Sequence, residues 1–175
     1  MKITQTNSSE YKADIINLYI EAFSTGKSEQ FIDKEELNEY IDSILKNGYV
    51  LLATENNQPI GAALICPLTL DNALPKEISD RFNAEKCLYI AEMMVTTSAR
   101  GKGIGQRLME AFDETADKTC YSDTFIRVWT ENMPAVRLYI KMGFETIACI
   151  EQTKKTADGG RTFVMQKIYL HKKLN

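Results

Sequence analysis

Side chains that bind metals or form nucleophilic pairs are scarce in this sequence. It contains one histidine, His171, and four cysteines, none of which lies in a C-x-x-C pair. Because zinc sites need clustered cysteine and histidine ligands, we expect four reduced thiols and no metal site. The same wide spacing gives no support to a cysteine–histidine nucleophilic pair.

Long apolar runs and an excess of positive charge are also missing. No segment reaches the roughly 18 apolar residues of a membrane span. The N-terminus, MKITQTNSSEYK, has no apolar core of the signal-peptide type. We therefore expect a cytoplasmic protein with no membrane partner. With a net charge of −3, the chain lacks the broad basic face of a general nucleic-acid binder, so we expect no nucleic-acid partner.

The length and apolar content that are present suit one globular domain. The chain has 175 residues, of which 44% are hydrophobic, enough to bury a sizeable core. No repeat, low-complexity tract or linker divides it, so we assign residues 1–175 to a single domain. The sequence leaves open whether that domain acts alone or as a homodimer.

Apolar periodicity predicts a mixed α/β domain. Helical spacing covers residues 10–23, 31–48, 104–118 and 131–143, and the last of these has Asn132 as its cap. Strand patterns cover residues 1–6, 49–68, 87–95, 124–130, 144–153 and 162–170. The second of these strand regions is a hairpin around an Asn-Asn-Gln-Pro turn. Residues 69–86 are polar and predict a loop with one helical turn after Pro75.

Three glycines and three cations lie between Ser98 and Leu108, after a buried strand and at the start of an amphipathic helix. A helix start leaves about four backbone N–H groups without partners and carries roughly half a positive charge. Since glycine lets an anion approach that backbone closely, the pattern favours a diphosphate cradle. A plain strand-to-helix turn with solvated cations is the alternative. The spacing fits neither the nucleoside-triphosphate loop nor the dinucleotide fingerprint.

Residues 99–109, ARGKGIGQRLM, resemble the acyl-CoA pyrophosphate loop of the GCN5-related N-acetyltransferase (GNAT) family. The family pattern is Gln or Arg, two residues, Gly, one residue, then Gly or Ala, and here it is filled by Arg100, Gly103 and Gly105. Downstream, ENMPAVRLYIKMGFE is similar to the second signature of the family. The residues that match it are Asn132, Tyr139, Gly143 and Phe144. Both motifs together, with a strand between them, identify the chain as a member of this family.

The resemblance implies a GNAT fold, with a central, mostly antiparallel sheet of about seven strands and about four helices. It also implies acetyl-CoA as the acyl donor, with the pantetheine arm in a gap between splayed fourth and fifth strands. The residues that it implies for cofactor binding are Met93, Met94, Val95, Arg100, Gly101, Lys102, Gly103, Ile104, Gly105, Gln106 and Asn132. The two methionines would also serve as core residues, and Asn132 would also serve as a helix cap.

Two residues are candidates for acid–base chemistry. The resemblance assigns to Tyr139 the protonation of the thiolate that leaves after acyl transfer. The alternative is a purely structural aromatic residue on the apolar face of its helix. Glu92 interrupts an apolar strand, where burial would raise the pKa of its carboxyl and suit it as the base for the attacking amine. A solvated or ion-paired glutamate is the alternative, and Glu131 is a weaker candidate for the base.

The sequence therefore predicts an enzyme that moves acetyl from acetyl-CoA to a primary amine of a small molecule or peptide, by direct attack in a ternary complex. A non-catalytic acyl-CoA sensor and a nucleotide-binding domain of another fold are the alternatives. Residues 29–46 carry six acidic and two basic side chains. An acidic rim of this kind would favour a cationic amine, and a solvated helix face is the alternative and simpler explanation. The polar segment 69–86 is a second candidate for lining the acceptor pocket.

Overall fold

The secondary structure follows the periodicity of the sequence. A computed structural model describes residues 1–24 and 29–174. Its strands are β1 (Lys2–Thr6), β2 (Tyr49–Glu55), β3 (Gln58–Pro67), β4 (Cys87–Val95), β5 (Asp123–Trp129), β6 (Glu145–Lys155) and β7 (Thr162–Lys173). Its α-helices are α1 (Lys12–Phe23), α2 (Lys34–Asn47), α3 (Lys76–Ser79), α4 (Ile104–Thr115) and α5 (Met133–Lys141). The described residues thus form five helices, because the single turn predicted after Pro75 counts as α3.

All seven strands join in one sheet with the order β1-β2-β3-β4-β5-β7-β6. Neighbouring strands are antiparallel except β4 and β5, which confirms the expected mostly antiparallel sheet. β4 and β5 pair only where Cys87–Ile90 lies beside Asp123–Ile126. Beyond these residues the two strands no longer pair, so their C-terminal halves face a gap in the sheet, as the resemblance implied.

Helices cover both faces of the sheet. α1 and α2 pack on one face, where Ile41 and Leu64 belong to the same buried cluster. α4 and α5 pack on the other face, where Phe112 and Ile126 belong to a second cluster. Because side chains alternate across a strand, neighbouring strand residues supply the two clusters in turn.

A β-bulge in β4 sets the direction of Glu92. Leu64 of β3 lies opposite Glu92, whereas the next residue, Ile65, lies opposite Ile90. Ala91 is therefore the extra residue, and it shifts the alternation of side chains along β4 by one position. Ile90 packs on the side of α4 and α5, and the bulge sends Glu92 to the side of α1 and α2.

Two predicted boundaries are wrong at turns. The β2–β3 hairpin turns at Asn56 and Asn57, whose φ angles are 51° and 59°. Asparagine tolerates this left-handed conformation, and two such residues in succession suffice for a hairpin turn, so β3 already begins at Gln58. α4 ends at Thr115 rather than at Lys118, because Ala116 already has an extended backbone.

Across residues 1–24 and 29–174, no helix is long and apolar enough to cross a membrane.

The polar segment 69–86 is held against the sheet by its first residues. Asp71 is only 8% exposed, and its carboxylate binds Arg127 of β5 and Tyr169 of β7. Two short 3₁₀ turns at Leu68–Leu70 and Ala84–Lys86 flank α3 within this segment. The network places residues 70–73 beside the C-terminal half of β5.

Candidate active site

Two cavities meet beside the bulge of β4. The larger has a volume of about 430 Å³ and lies between α2, residues 70–73 and the sheet. The smaller, of about 110 Å³, lies in the gap between β4 and β5 and extends to α5. Ala91, Glu92 and Arg127 line both cavities. A molecule in the larger cavity would therefore meet a molecule in the gap next to Glu92.

The loop between β4 and α4 leaves backbone donors open. Gly101 and Gly103 have φ angles of +74° and +79°, which other residues adopt only with strain. A Cβ at either position would meet nothing within 4 Å, so these glycines serve the backbone conformation and not internal packing. The first helical bond runs from the amide of Arg107 to the carbonyl of Gly103. The amides of residues 104–106 therefore have no acceptor in the described chain.

Two further loop residues have roles inside the fold. The side chain of Ile104 is buried, so only its backbone faces the loop. A Cβ at Gly105 would lie 3.1 Å from Cδ2 of Leu138 in α5. The third glycine of the motif thus allows close packing of α4 and α5, a reason that differs from the predicted access for an anion.

The polar side chains around this loop remain on the surface. Lys102 is exposed, and Arg100 is held back because its Nε donates a hydrogen bond to the carbonyl of Val95 at 3.3 Å. The Gln106 Oε1 atom accepts a hydrogen bond from Lys141 at 2.9 Å. Arg100, Lys102 and Lys141 together add positive charge to the helix end.

The free edge of β4 presents backbone groups from alternate residues. Just beyond the strand, the amide of Thr96 donates to the carbonyl of Ile60 at 3.0 Å. Since hydrogen-bonded pairs alternate along antiparallel strands, the amide of Met94 also faces β3, whereas those of Met93 and Val95 face the gap. Met94 is 1% exposed and belongs to the core cluster beneath α1 and α2. Of the three predicted residues, Met93 therefore has an open amide and an open carbonyl, whereas Val95 has an open amide only, because its carbonyl accepts the hydrogen bond from Arg100.

Glu92 lies inside the site and not on a solvated edge. The Tyr40 hydroxyl of α2 donates a hydrogen bond to Glu92 Oε1 at 3.2 Å. Burial raises the pKa of this carboxyl, and the opposing effects of Lys167, Arg127 and the Tyr40 hydrogen bond do not cancel the rise. A carboxylate with a raised pKa is a stronger base near neutral pH, which suits proton transfer from an amine.

Tyr139 is both a core aromatic and a residue of the gap. Its side chain is 4% exposed and its ring centroid lies 6.2 Å from that of Phe144. It also lines the smaller cavity, and its hydroxyl forms no hydrogen bond with residues 1–24 and 29–174. Burial and the charge of Glu92 raise the pKa of Tyr139. The phenol is therefore neutral at physiological pH and able to donate its proton.

The two residues that precede α5 differ in their access to the site. Asn132 caps the helix, since its Oδ1 accepts a hydrogen bond from the amide of Ala135 at 3.4 Å. It also lines the gap, which is the space predicted for the cofactor. Glu131 is exposed and lines neither cavity, which leaves Glu92 as the better-placed carboxylate.

A comparison with protein families decides the class of this protein. The sequence profile of the acetyltransferase (GNAT) family matches residues 12–144, from the start of α1 to the end of the α5 region. The chain belongs to this family. The matched span contains the glycine loop, the splayed half of β4, Glu92 and Tyr139. No curated protein matches the sequence significantly.

Solved structures share the GNAT fold over the whole chain. A ribosomal-protein-alanine N-acetyltransferase of Brucella melitensis has a TM-score of 0.75 and 18% identity, covering 99% of this chain and 100% of its own. The yncA protein of Salmonella typhimurium, solved with its cofactor acetyl-CoA, has a TM-score of 0.72 and 17% identity over 100% and 95% of the two chains. An N-acetyltransferase of Staphylococcus aureus has a TM-score of 0.74 and 16% identity, with both chains fully covered. At these identities, the likeness shows the fold.

The GNAT family uses acetyl-CoA, and the residues of this acetyltransferase fit that group. The open amides of α4 and the positive φ angles of Gly101 and Gly103 suit a diphosphate. The free edge of β4 suits an extended arm that carries amide groups. Among the residues that the structure describes, no three His, Cys, Asp or Glu side chains are grouped so that they could hold a metal ion.

Sequence reasoning missed the polar residues of the GNAT site that lie outside the two motifs. Among those that line the cavities, Arg127, Lys154 and Lys167 lie outside both motifs and outside the two segments, 29–46 and 69–86, that were predicted for the acceptor. The strand pattern around Arg127 and Lys167 alternates, which is equally typical of polar side chains facing solvent. Only the covering of that sheet face by α2 and residues 70–73 turns these side chains into cavity walls. By contrast, residues 70–73 do line the larger cavity, as predicted for the segment 69–86.

Proposed function

We propose that this chain transfers the acetyl group of acetyl-CoA to a primary amine in the larger cavity, by direct attack in a ternary complex. Membership of the GNAT family supplies the reaction class. The observation that carries the rest is the position of Glu92, which lines both the larger cavity and the gap beside the free edge of β4. Two separate spaces for two substrates, joined at a basic group, are what a ternary complex requires.

The cofactor would lie across the helix end of α4 and the free edge of β4. The amides of residues 104–106, with Gly101 and Gly103, suit its diphosphate, and Arg100 and Lys102 add positive charge nearby. The amides of Met93 and Val95 and the carbonyl of Met93 suit the pantetheine arm. When bound there, acetyl-CoA supplies an activated thioester.

The roles of Glu92 and Tyr139 follow from their surroundings. A lysine-type amine has a pKa of ~10.4 and must lose a proton before it can attack. Glu92, with a raised pKa, accepts that proton. The hydroxyl of Tyr139 donates a proton to the departing sulfur, and burial keeps this tyrosine neutral beforehand. The nitrogen–carbon bond forms as the carbon–sulfur bond of the thioester breaks, and exchange with solvent takes the proton from Glu92 and returns one to Tyr139 before the next turnover.

A covalent acyl-enzyme is not favoured by any of the thiols. Cys66 lines the larger cavity, but burial and the nearby carboxylates raise its pKa to about 12. Burial likewise raises the pKa of Cys87 to about 12. Cys120 and Cys149 are exposed and line neither cavity. Because the thiolate is the reactive form, direct attack by the amine is the better supported route.

Release of free thiol from acetyl-CoA, measured with a panel of primary amines, tests the proposal. The panel contains amino acids, amino-acid amides, a polyamine, an aminoglycoside and a peptide with an N-terminal alanine. We expect release that depends on both the protein and at least one amine, together with mass-spectrometric detection of the N-acetyl product. Calorimetric binding of CoA without release for any amine would favour the acyl-CoA sensor instead. Binding of ATP or NAD in competition with CoA would favour the nucleotide-binding alternative.

A further inference from the structure

The larger cavity has charges of both signs on different walls. The α2 wall contributes Asp33 and Glu36, which are exposed at its rim. The sheet wall contributes Arg127 and Lys154, and Lys167 lies beside them at the gap. A cavity with this distribution suits a molecule that itself carries both signs of charge.

Arg127 is already paired with a carboxylate of the protein itself. Its Nη1 atom lies 3.1 Å from Asp71 Oδ1 and donates a hydrogen bond to the Tyr169 hydroxyl at 2.8 Å. Its guanidinium carbon also lies 5.5 Å from the centroid of the Tyr169 ring. Asp71 and Arg127 neutralise each other, so this pair fixes residues 70–73 and leaves no net charge for a ligand.

The ammonium groups of Lys154 and Lys167 have no such partners. Within residues 1–24 and 29–174, neither group forms a hydrogen bond or an ion pair. Both side chains are half-buried, and burial lowers the pKa of each. For Lys167 the value falls to about 8, since Lys154 and Arg127 add like charge. Among the described residues, Glu92 is the one carboxylate whose charge stabilises both ammonium groups, and it lies beyond ion-pair distance of either.

The register of β6 and β7 places the two lysines on the same face of the sheet. Lys154 lies opposite Phe163, and Phe163 shares a face with Lys167 because side chains alternate along β7. Gln152, opposite Met165, lies between them, and its Oε1 atom is buried without a hydrogen-bond partner. Two unpaired cations and an unsatisfied amide thus lie on one wall of the site.

On the basis of the proposed function, we infer that the acetyl acceptor is an amine that also carries a carboxylate, as an amino acid does. Lys154 and Lys167 bind the carboxylate, while Glu92 faces the amine. Unpaired, partly buried ammonium groups cost free energy, and an anion bound between them removes that cost. A polyamine or an aminoglycoside would instead bring positive charge against this wall.

Matched acceptors that differ only in the carboxylate test this inference. The ratio of kcat/KM for each amino acid to that for its C-terminal amide is measured by thiol release with wild-type protein. We expect a ratio of at least ten for the best amino acid, because the amide form lacks the anion. Thermal shifts induced by the same amino acids and amides, without acetyl-CoA, give a reading of binding that is independent of turnover.

Variants of the two lysines test whether these residues cause the preference for the carboxylate. Lys154→Gln and Lys167→Gln are expected to lower the acid-to-amide ratio at least fivefold and to reduce the thermal shift caused by the amino acid. Lys154→Arg keeps the positive charge and should therefore retain most of the wild-type ratio. Lys155→Gln is the matched control, since Lys155 is the next residue of β6, is exposed and lines neither cavity. It should leave the ratio unchanged.

The outcomes separate this inference from the proposed function. Acetylation of amides or polyamines at rates equal to those of amino acids would overturn the carboxylate site but leave the acetyltransferase intact. A ratio that stays high in both Lys→Gln variants would also overturn it. If no amine releases thiol although CoA binds, the proposed function fails. Amino-acid thermal shifts that disappear in the two variants would even then support the anion site.

Discussion

The two sides of Glu92 are built from different parts of the chain. On the side proposed for the cofactor, here called the cofactor side, the open groups are backbone amides and carbonyls from the free edge of β4 and the N-terminus of α4. On the side proposed for the acceptor, here called the acceptor side, the cavity walls include polar side chains from α2, residues 70–73, β5 and β6. Backbone groups are the same for every residue type, so the first side suits a ligand that never changes. Side chains vary freely, so the second side is where selectivity is decided.

The two sides should therefore respond to different kinds of substitution. The cofactor side depends on backbone conformation, as the positive φ angles of Gly101 and Gly103 show. The acceptor side depends on charge and on hydrogen bonds, such as the bonds that join Asp71, Arg127 and Tyr169. Substitutions that alter the backbone should therefore change the KM for acetyl-CoA, and substitutions that alter charge should change the use of the amine.

The largest effect is expected at the junction of the two sides. Glu92→Gln removes the proposed base, and general base catalysis contributes roughly 100- to 10,000-fold. We expect kcat to fall by at least about 100-fold in thiol-release assays, with the KM for acetyl-CoA changed less than about twofold, because the substitution leaves the backbone edge of β4 unaltered. Glu131→Gln, at an exposed position outside both cavities, should retain normal turnover. Equal losses in the two variants would remove Glu92 from its assigned role.

Two tyrosines that face different sides give the next comparison. Tyr139→Phe should lower kcat by about 10- to 100-fold. This loss is smaller than general acid catalysis usually contributes, because a thiolate whose thiol has a pKa of ~8.5 leaves readily without full protonation. Its free energy of unfolding should hardly change, since the lost hydroxyl has no hydrogen-bond partner among the described residues.

Tyr169→Phe is the matched variant on the acceptor side, and it should behave in the opposite way. The Tyr169 hydroxyl accepts a hydrogen bond from Arg127 and donates one to Asp71 at 2.7 Å. Removing it leaves buried polar groups unsatisfied, at a cost of about 1–3 kcal/mol in the free energy of unfolding. Urea titrations of both variants measure this contrast. A destabilised Tyr139→Phe with normal kcat would reduce Tyr139 to a core residue.

Two glycines with similar φ angles, one in the loop before α4 and one elsewhere, test whether the cofactor side needs its particular backbone conformation. Gly103 and Gly159 have φ angles of +79° and +70°, and neither would place a Cβ closer than 3.8 Å to another residue. Alanine at either position should cost roughly 1–2 kcal/mol of stability through strain in the left-handed region. Only Gly103→Ala should also raise the KM for acetyl-CoA, by about tenfold if 1.4 kcal/mol of binding is lost. A similar rise in Gly159→Ala, which changes the β6–β7 turn, would contradict a specific role for the loop.

The same contrast explains how much of the site could be predicted from the sequence. The cofactor side lies in one contiguous stretch, so Met93, Gly103 and their neighbours could be predicted from local motifs. Local spacing could not show that Gly105 is small because Leu138 packs against it, since that contact joins two helices. The elements themselves were predictable because each is strongly periodic in apolar residues.

The acceptor side could not be predicted because its residues are brought together only by the sheet order. Lys154 and Arg127 are far apart in sequence, and they line one cavity because β7 lies between β5 and β6. The bulge at Ala91 is a second non-local feature, since it appears only when β4 is paired with β3. Without it, strict alternation would place Glu92 on the opposite face from Tyr40.

The smallest expected effect concerns the pH at which Glu92 becomes active. The base must be ionised, so kcat should rise with pH through the pKa of Glu92 and then level off. The hydrogen bond from Tyr40 lowers that pKa, so Tyr40→Phe should raise it further and move the acidic limb of the profile to higher pH. Tyr19→Phe is the matched control, because Tyr19 lines the same cavity and its ring centroid lies 6.3 Å from that of Tyr40. Kinetics over a range of pH should show a shift in Tyr40→Phe alone; an unshifted limb would mean that another group sets the profile.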